Sequence, residues 1–149
     1  MDSNAYSSVH QSSPNSDIRI KLLQTIVSQH LGEGLISDIG CGSGYISSAV
    51  ADNRHQVMAI DISAESIRRL HALRSSLYVA VMDANNLGIR GDILDNAIVL
   101  DLLEHLQNED RCIKEVYRTL KKNGKLILNV PAIRKLYGIR DRIARHHRR

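Results

Sequence analysis

Short apolar runs separated by polar or glycine-containing turns make up most of this chain. Five of these runs are rich in Ile, Val and Leu and have the length of buried strands. They cover residues 35–39, 56–61, 77–82, 95–101 and 124–130. The last run is entered through Asn123-Gly124, a good turn pair, and is stopped by Pro131.

Helical patterns lie between these runs. The clearest follows Ser63, a favourable N-cap, with Ile67, Leu70 and Leu73 at helical spacing. Strands and helices are therefore predicted to alternate strictly, as β-α-β-α. The strands are too apolar to have a solvent-facing side, so we expect an α/β fold with a parallel sheet covered by helices on both faces.

A glycine-rich turn follows the first predicted strand directly. Gly40, Gly42 and Gly44 are spaced G-x-G-x-G, and residues 45–51 continue as a helix pattern. A strand that enters such a turn and then a helix is typical of a nucleotide-cofactor site, because backbone without side chains lets a ligand approach closely. A glycine loop alone is also compatible with a merely flexible turn.

Two acidic residues strengthen the cofactor interpretation. Asp38 lies two positions before the first glycine, and Asp61 ends the second predicted strand, 17 residues after Gly44. A carboxylate at the tip of the second strand can accept hydrogen bonds from both ribose hydroxyls of an adenosine ligand. For Asp38 we expect a role in holding the loop or, through water, the cofactor's ammonium group.

With these residues, the chain resembles the class I S-adenosylmethionine-dependent methyltransferases, of the type 11/12-like domain, over residues 18–149. The segments 99–106 and 120–131 are similar to the family's strand-four and strand-five signatures, with Lys122-Asn123-Gly124 in place of the more usual Pro-Gly-Gly. The resemblance implies a Rossmann-like, doubly wound parallel sheet of about five strands. It also implies S-adenosyl-L-methionine as the cofactor.

The resemblance further implies which residues form the cofactor site. Asp61 matches the family's ribose-binding acid, and Asp83 matches the acid that receives the adenine amino group. The full predicted set is Asp38, Gly40, Cys41, Gly42, Gly44, Asp61, Ile62, Asp83, Ala84 and Asp101.

A base is expected near the end of the fourth strand, where Asp101, Glu104 and His105 form D-x-x-E-H. His105 is the catalytic candidate, because imidazole titrates near neutral pH, although a histidine at such a junction is also commonly structural. No metal is predicted as the first choice. The alternative comes from resemblance to ubiquinone-pathway and small-RNA methyltransferases, in which E-x-x-E-H binds a divalent metal; His146 or His147 would then complete the site.

Composition bounds the remaining possibilities. The chain of 149 residues has no Phe or Trp, so a single domain with an aliphatic core is expected. We expect a mobile polar tail at 1–17, which is neither signal peptide nor anchor, a cofactor-binding domain at 18–131 and a basic segment at 132–149. Two cysteines without a disulfide pattern favour the cytoplasm.

The net charge of +4 is concentrated in residues 132–149, which hold seven Lys or Arg against one Asp. This segment could face an anionic substrate, nucleic acid or lipid head groups, but a solvated surface is favoured. Nucleic acid is disfavoured because no aromatic stacking residues accompany the arginines. A small-molecule methyl acceptor is the expected partner.

Family members carry two further strands after strand five, and this chain stops at Arg149. We therefore expect a truncated chain whose fifth strand is an unpaired edge, prone to self-association. The leading hypothesis is methyl transfer to a small molecule, at oxygen rather than at nitrogen or carbon. The alternatives are a catalytically inactive fragment that binds cofactor or partner, a metal-assisted methyltransferase of quinone or RNA type, and an NAD-dependent oxidoreductase.

Overall fold

The structure is a computed structural model that describes residues 14–52 and 55–130. Five strands alternate with four helices and one 3₁₀ turn. In chain order they are α1 (Pro14–His30), β1 (Gly34–Ile39), α2 (Tyr45–Val50), β2 (His55–Asp61), α3 (Ala64–Leu73), β3 (Tyr78–Val81), β4 (Leu94–Leu100), the 3₁₀ turn (Leu103–His105), α4 (Glu109–Thr119) and β5 (Leu120–Asn129).

The strands form one sheet in the order β3-β2-β1-β4-β5, and every pairing is parallel. The chain winds outward from β1 to β3, then crosses back and continues on the other side of β1. The direction of winding therefore reverses between β1 and β4. In open parallel sheets, ligands bind at this reversal, beyond the carboxyl ends of the strands.

The sheet is covered on both faces by aliphatic cores, which explains how a chain without Phe or Trp folds. Neighbouring residues of β4 point to opposite faces, so Ile98 belongs to one cluster while Ala97 and Val99 belong to the other. α1, α2 and α3 contribute Val27, Val50 and Leu70 to the first cluster. Helix α4 contributes Cys112 and Val116 to the second. The predicted Rossmann-like fold is confirmed.

The prediction that strands and helices alternate strictly is wrong between β3 and β4. Residues 82–93, which we call the β3–β4 loop, contain no helix and join two strands that lie on opposite sides of β1 and β2. This stretch is rich in turn formers such as Asn85, Asn86 and Gly91, and Asp92 has a φ of 55°. Local turn chemistry therefore prevails over helix formation.

The element boundaries also differ in detail from the prediction. Helix α1 begins at Pro14, four residues inside the segment expected as a polar tail. Strand β5 begins at Leu120, which pairs with Leu94 before an irregularity, and resumes at Lys125 opposite Asn96. As predicted, Ser63 caps α3, since its hydroxyl accepts the Ser66 N–H. The predicted basic segment 132–149, with His146 and His147, lies outside the described residues.

Two further observations complete the description of the fold. Among the described strands, β5 is at one edge of the sheet, as predicted. Within the same part of the chain, no helix is both long and apolar enough to cross a membrane.

Candidate functional site

The glycine loop between β1 and α2 rests on the end of β2. The N–H groups of Gly40 and Cys41 both donate to the carbonyl oxygen of Ile60, at 2.8 and 2.9 Å. The N–H of Gly42 donates to Oδ2 of Asp61 at 2.8 Å. Strand β2 therefore determines the path of the loop and ties it to the predicted ribose-binding acid.

All three loop glycines have positive φ angles, but their surroundings differ. A Cβ at Gly40 would lie 2.9 Å from Cδ1 of Leu102, and a Cβ at Gly44 would overlap the side chain of Leu70. These two glycines allow close packing against the 3₁₀ turn region and α3. A Cβ at Gly42 would have no atom within 4 Å. The backbone at Gly42 thus faces open space, as a ligand-binding loop requires.

Asp61 joins the loop to the start of α3. Besides accepting from Gly42, its carboxylate accepts the Ser63 N–H through Oδ1 at 2.8 Å. Each carboxylate oxygen retains a second lone pair, so both contacts are compatible with hydrogen bonds from ribose hydroxyls. The next residue, Ile62, is 72% exposed and presents apolar surface beside this carboxylate.

Asp38 is buried beneath the loop and does not face solvent. Its carboxylate accepts a hydrogen bond from the Ser47 hydroxyl of α2 at 2.5 Å. Burial raises the pKa of Asp38 to about 6, with the hydrogen bonds from Ser47 acting against this rise and the charge of Asp61 adding to it. Asp38 thus fastens α2 to β1, which agrees with the loop-holding part of the prediction.

The surroundings of Cys41 keep its thiol protonated. Burial raises its pKa, and the charges of Asp38 and Asp61 raise it further. A thiolate is the reactive form of cysteine, so this side chain is not a nucleophile near neutral pH.

Asp83 and Ala84 form a tight turn directly after β3. The Asp83 carboxylate accepts the Asn85 N–H at 2.8 Å, and its carbonyl accepts the Asn86 N–H at 2.9 Å. Ala84 is buried, and Asp83 is exposed. Ala84 packs in one cluster with Cys112 and Val116, so this turn lies against α4. Burial and the charge of Asp83 raise the pKa of Cys112 to about 11.

Asp101 follows β4 in a left-handed conformation, with a φ of 51°. Its carboxylate pairs with Arg19 of α1, whose Nη2 lies 2.5 and 2.6 Å from the two oxygens. The same Nη2 lies 3.4 Å from Oδ1 of Asn129, at the end of β5. Helix α1 is thereby fastened over the carboxyl ends of β4 and β5. Sequence reasoning missed Arg19, because nothing in its local pattern indicates a partner 82 positions away.

Helix α1 also contacts the glycine-loop side of the site. The Gln24 side chain donates to the carbonyl oxygen of Tyr45 at 3.0 Å, at the start of α2. Together with the Arg19 contact, this places α1 across both α2 and the end of β4.

The catalytic candidate His105 ends the 3₁₀ turn after β4. It is half-buried, and its backbone N–H donates to the Leu102 carbonyl at 2.9 Å. Leu102 is the residue against which Gly40 packs, so this turn borders the glycine loop. Glu104 is buried in the same turn.

The alternative metal site receives no support from the side-chain arrangement. Within residues 14–52 and 55–130, no three His, Cys, Asp or Glu side chains gather in a way that could hold a metal ion. Asp101, Glu104 and His105 are therefore not brought together as ligands there.

Comparison with known proteins agrees with this geometry. The family model described as a methyltransferase domain matches residues 37–128, which is more than half of the chain. The chain therefore belongs to the methyltransferase-domain family. The predicted membership in the superfamily of class I S-adenosylmethionine-dependent methyltransferases is confirmed.

Individual relatives are similar over part of their length. A ubiquinone biosynthesis O-methyltransferase of Xanthomonas oryzae pv. oryzae is 34% identical over 99 residues, covering 63% of this chain and 41% of that protein. The PH0226 protein of Pyrococcus horikoshii OT3 is 27% identical with a TM-score of 0.73, covering 83% of this chain and 61% of that one. A SAM-dependent methyltransferase of Methanosarcina mazei is 32% identical with a TM-score of 0.64, covering 69% and 55%. The chain thus spans less than two thirds of each of these relatives.

Proposed function

We propose that this chain binds S-adenosylmethionine at the carboxyl ends of β1, β2 and β3 and transfers its methyl group to an oxygen atom of a small molecule. The observation that carries the proposal is the glycine loop. Its Gly42 backbone is held by Asp61 and faces open space, while Gly40 and Gly44 are closed by side chains. A loop that served only as a turn would not need an empty space in front of its central glycine.

Each residue of the site has a role in this proposal. Asp61 accepts hydrogen bonds from the ribose hydroxyls, and the exposed Ile62 provides apolar surface for the base. Asp83 accepts a hydrogen bond from the adenine amino group, next to the backbone of Ala84. Asp38 keeps the loop in shape through Ser47. Asp101, held by Arg19, borders the site from the end of β4.

The cofactor supplies an electrophilic methyl group on a sulfonium centre, so the protein mainly has to orient the acceptor and remove a proton. We assign proton removal to His105. A neutral imidazole can accept the proton of an acceptor hydroxyl near neutral pH. The position of His105 in the turn that borders the glycine loop supports this assignment.

The preference for oxygen rests on the relatives. The sequence relative that is 34% identical over 99 residues is named as an O-methyltransferase. For a test, the chain would be incubated with S-adenosylmethionine carrying a labelled methyl group and with matched sets of phenols, aliphatic alcohols, amines and thiols. Label in a phenol or alcohol is expected. Transfer to amines alone would contradict the acceptor class, and absence of transfer to all four would favour the alternative of a cofactor-binding chain without turnover.

Cofactor binding is tested separately from turnover. Calorimetric titration with S-adenosylhomocysteine should show binding, whereas NAD should not bind. NAD binding without S-adenosylhomocysteine binding would contradict the proposal. Replacement of His105 with Gln should lower kcat by about 10²-fold or more and leave the affinity for S-adenosylhomocysteine unchanged. An unchanged kcat would show that His105 is structural.

We also propose that the β5 edge allows self-association. Leu126, Leu128 and Val130 are 36%, 44% and 41% exposed along this edge. A second copy paired antiparallel about Ile127 would bring Leu126 of one copy opposite Leu128 of the other, a favourable cross-strand contact. Sedimentation over a range of concentrations should show a dimer that Leu128→Lys weakens. Tyr117→Lys, on the surface of α4, is the control, and a wild-type monomer at every concentration would contradict the proposal.

We infer a reducing compartment, the cytoplasm, as the location of the chain. Cys41 and Cys112 are both free thiols. Thiol titration of the denatured protein, isolated under conditions that prevent exchange, should count two free thiols. A disulfide between the two would contradict this inference.

A further inference from the structure

The β3–β4 loop, which carries Asp83 and Ala84, is attached to helix α4 through side chains. The Leu87 N–H donates to Oε2 of Glu115 at 2.9 Å. Arg118 donates in turn to two loop carbonyls, from Nη2 to Leu87 at 3.0 Å and from Nη1 to Ile89 at 2.8 Å. Two charged residues of one helix thus bind three backbone groups of a loop that has no helix of its own.

Glu115 and Arg118 also hold each other in place. Arg118 donates from Nε to Oε1 at 3.0 Å and from Nη2 to Oε2 at 2.8 Å, which is a two-point contact. The hydrogen bond from Arg118 is the main reason that the pKa of Glu115 lies below its ordinary value, and Glu115 raises the pKa of Arg118. Both side chains are therefore charged across the physiological range. A planar guanidinium that is fixed in this way presents its remaining donors in one direction.

The apolar side of the loop packs on the same helix. Ala84, Leu87 and Ile89 are buried in one cluster with Cys112 and Val116 of α4. These apolar contacts keep the loop packed on α4. They are non-directional, so they do not determine which backbone groups of the loop face the helix. The hydrogen bonds to the N–H and the carbonyl of Leu87 do determine this, because hydrogen-bond geometry is specific.

The far end of the loop is attached to the same turn of α4. The Asp92 and Ile93 N–H groups donate to the carbonyls of Arg118 and Thr119 at 3.1 and 3.0 Å. A Cβ at Gly91 would lie 3.1 Å from the Arg118 carbonyl oxygen, so only a glycine passes easily at this distance. The turn formed by Asp83 lies between these contacts and β3. Its position therefore depends on how α4 holds the rest of the loop.

We propose that Glu115 and Arg118 are positioning residues for the adenine end of the cofactor site. They hold the β3–β4 loop in the register that presents the Asp83 carboxylate and the Ala84 backbone to the purine. This inference rests on the proposed function, since it assigns the recognition of adenine to the same turn. Glu115 and Arg118 lie on the far side of the loop and act only through it.

The test compares variants of the Glu115–Arg118 pair, which we call the clamp, with a matched ion-pair control. Arg118→Met removes the donors to Leu87 and Ile89 but keeps the bulk of the side chain. We expect it to weaken binding of S-adenosylhomocysteine about tenfold, as the loss of about one well-placed hydrogen bond to the cofactor would. Arg118→Lys keeps the charge without the planar fork and should give a smaller loss. Lys121→Met breaks the ion pair with Asp95 at the amino end of the strands, away from the proposed cofactor site, and should leave the affinity unchanged.

A second ligand separates positioning from general destabilisation. The analogue of S-adenosylhomocysteine whose base is unsubstituted purine has a hydrogen in place of the adenine amino group and keeps N1 as an acceptor, so it lacks only the donor that Asp83 is proposed to recognise. Arg118→Met should weaken binding of this ligand less than binding of S-adenosylhomocysteine, because the Asp83 contact is already missing and only the contact with the Ala84 backbone is left to lose. Equal weakening of both ligands in a folded variant would overturn the proposal.

Hydrogen exchange gives a readout that does not depend on any ligand. In Glu115→Ala, the amide of Leu87 should exchange faster, while the amide of Ile98 in β4 should keep its wild-type rate. Failure of the wild-type chain to bind S-adenosylhomocysteine would defeat the proposed function itself. Wild-type binding with unchanged affinity in folded Arg118→Met would defeat only the role of the clamp.

Discussion

The two ends of the sheet use the same residue types for different purposes. At the amino end of the strands, Gly34 has a φ of 110°, and a Cβ there would overlap the Asp95 carboxylate. Asp95 accepts the Leu35 N–H at 2.8 Å and pairs with Lys121 at 2.7 Å. Here the glycine and the aspartate pack directly against each other, with no space between them for a ligand.

At the carboxyl end, a glycine and an aspartate again meet, but the space in front of them is open. Asp61 accepts the Gly42 N–H, and a Cβ at Gly42 would touch nothing within 4 Å. The difference follows from topology. In open parallel sheets, neighbouring connections diverge where the winding reverses, and this divergence generally leaves a crevice at the carboxyl ends of the strands. A glycine next to a carboxylate therefore indicates a ligand site only where the fold leaves volume beside it.

The largest expected effect separates two glycines of the loop. Gly44→Ala should destabilise the ligand-free protein by about 3 kcal/mol, because the new Cβ overlaps Leu70 and the backbone is left-handed. Gly42→Ala has only the backbone cost, about 1 kcal/mol, but should weaken binding of S-adenosylhomocysteine. Denaturant unfolding and calorimetry on both variants measure the two quantities. Equal stability losses, with unchanged affinity for Gly42→Ala, would contradict the difference drawn between these glycines.

The next comparison uses one aspartate from each end. Asp61→Ala and Asp95→Ala each remove hydrogen bonds to backbone N–H groups, so both should lower the free energy of unfolding by about 1–2 kcal/mol. Only Asp61→Ala should weaken binding of S-adenosylhomocysteine, by about two orders of magnitude, because two charge-assisted bonds to ribose are lost. Wild-type affinity in a folded Asp61→Ala variant would remove this residue from the site.

The third prediction concerns pH. The pKa of Asp38 in the folded protein is about 6, above its ordinary 3.8, because the carboxyl is buried. Its contribution to stability is therefore full below about pH 4 and is lost as the pH rises to about 6. The expected loss is on the order of 2 kcal/mol. Unfolding free energies measured from pH 4 to 7 should show this decline in the wild type and not in Asp38→Asn.

Asp95, at the amino end of the sheet, should give the opposite pH dependence of stability. The hydrogen bond from Lys121 holds the pKa of Asp95 below its ordinary value. Its contribution is present above about pH 4 and is lost as the pH falls through the lowered pKa. Asp95→Asn should therefore change the pH dependence only below about pH 4. A change in the range from pH 4 to 6 would contradict the assignment of that range to Asp38.

The smallest expected effect concerns one ion pair from each end. Arg19→Gln and Lys121→Gln break pairs that are largely exposed, so each should change the free energy of unfolding by less than about 1 kcal/mol. Arg19→Gln should also weaken binding of S-adenosylhomocysteine about threefold, because Asp101 loses the partner that holds it beside the site. Equal affinities in the two variants would place Arg19 outside the cofactor site.

The strands and the glycine loop could be predicted because their signals are local. Apolar runs of five to seven residues, the spacing of Gly40, Gly42 and Gly44, and the Ser63 cap depend on neighbouring residues in the chain. The Rossmann-like fold followed from the order of these elements. The distinction between Gly42 and its neighbours did not follow, because it depends on Leu70 and Leu102, which come from other parts of the chain.

The sequence by itself determined the five strands, their parallel pairing and the class of protein. Only the tertiary structure decided how charged side chains on helix surfaces are used. Arg19 meets Asp101, and Arg118 meets the carbonyls of Leu87 and Ile89, across 82, 31 and 29 positions. In the sequence such residues have the pattern of a solvent-facing side of a helix. Their partners are set by which loop the packing brings to each helix, and that is a property of the whole fold.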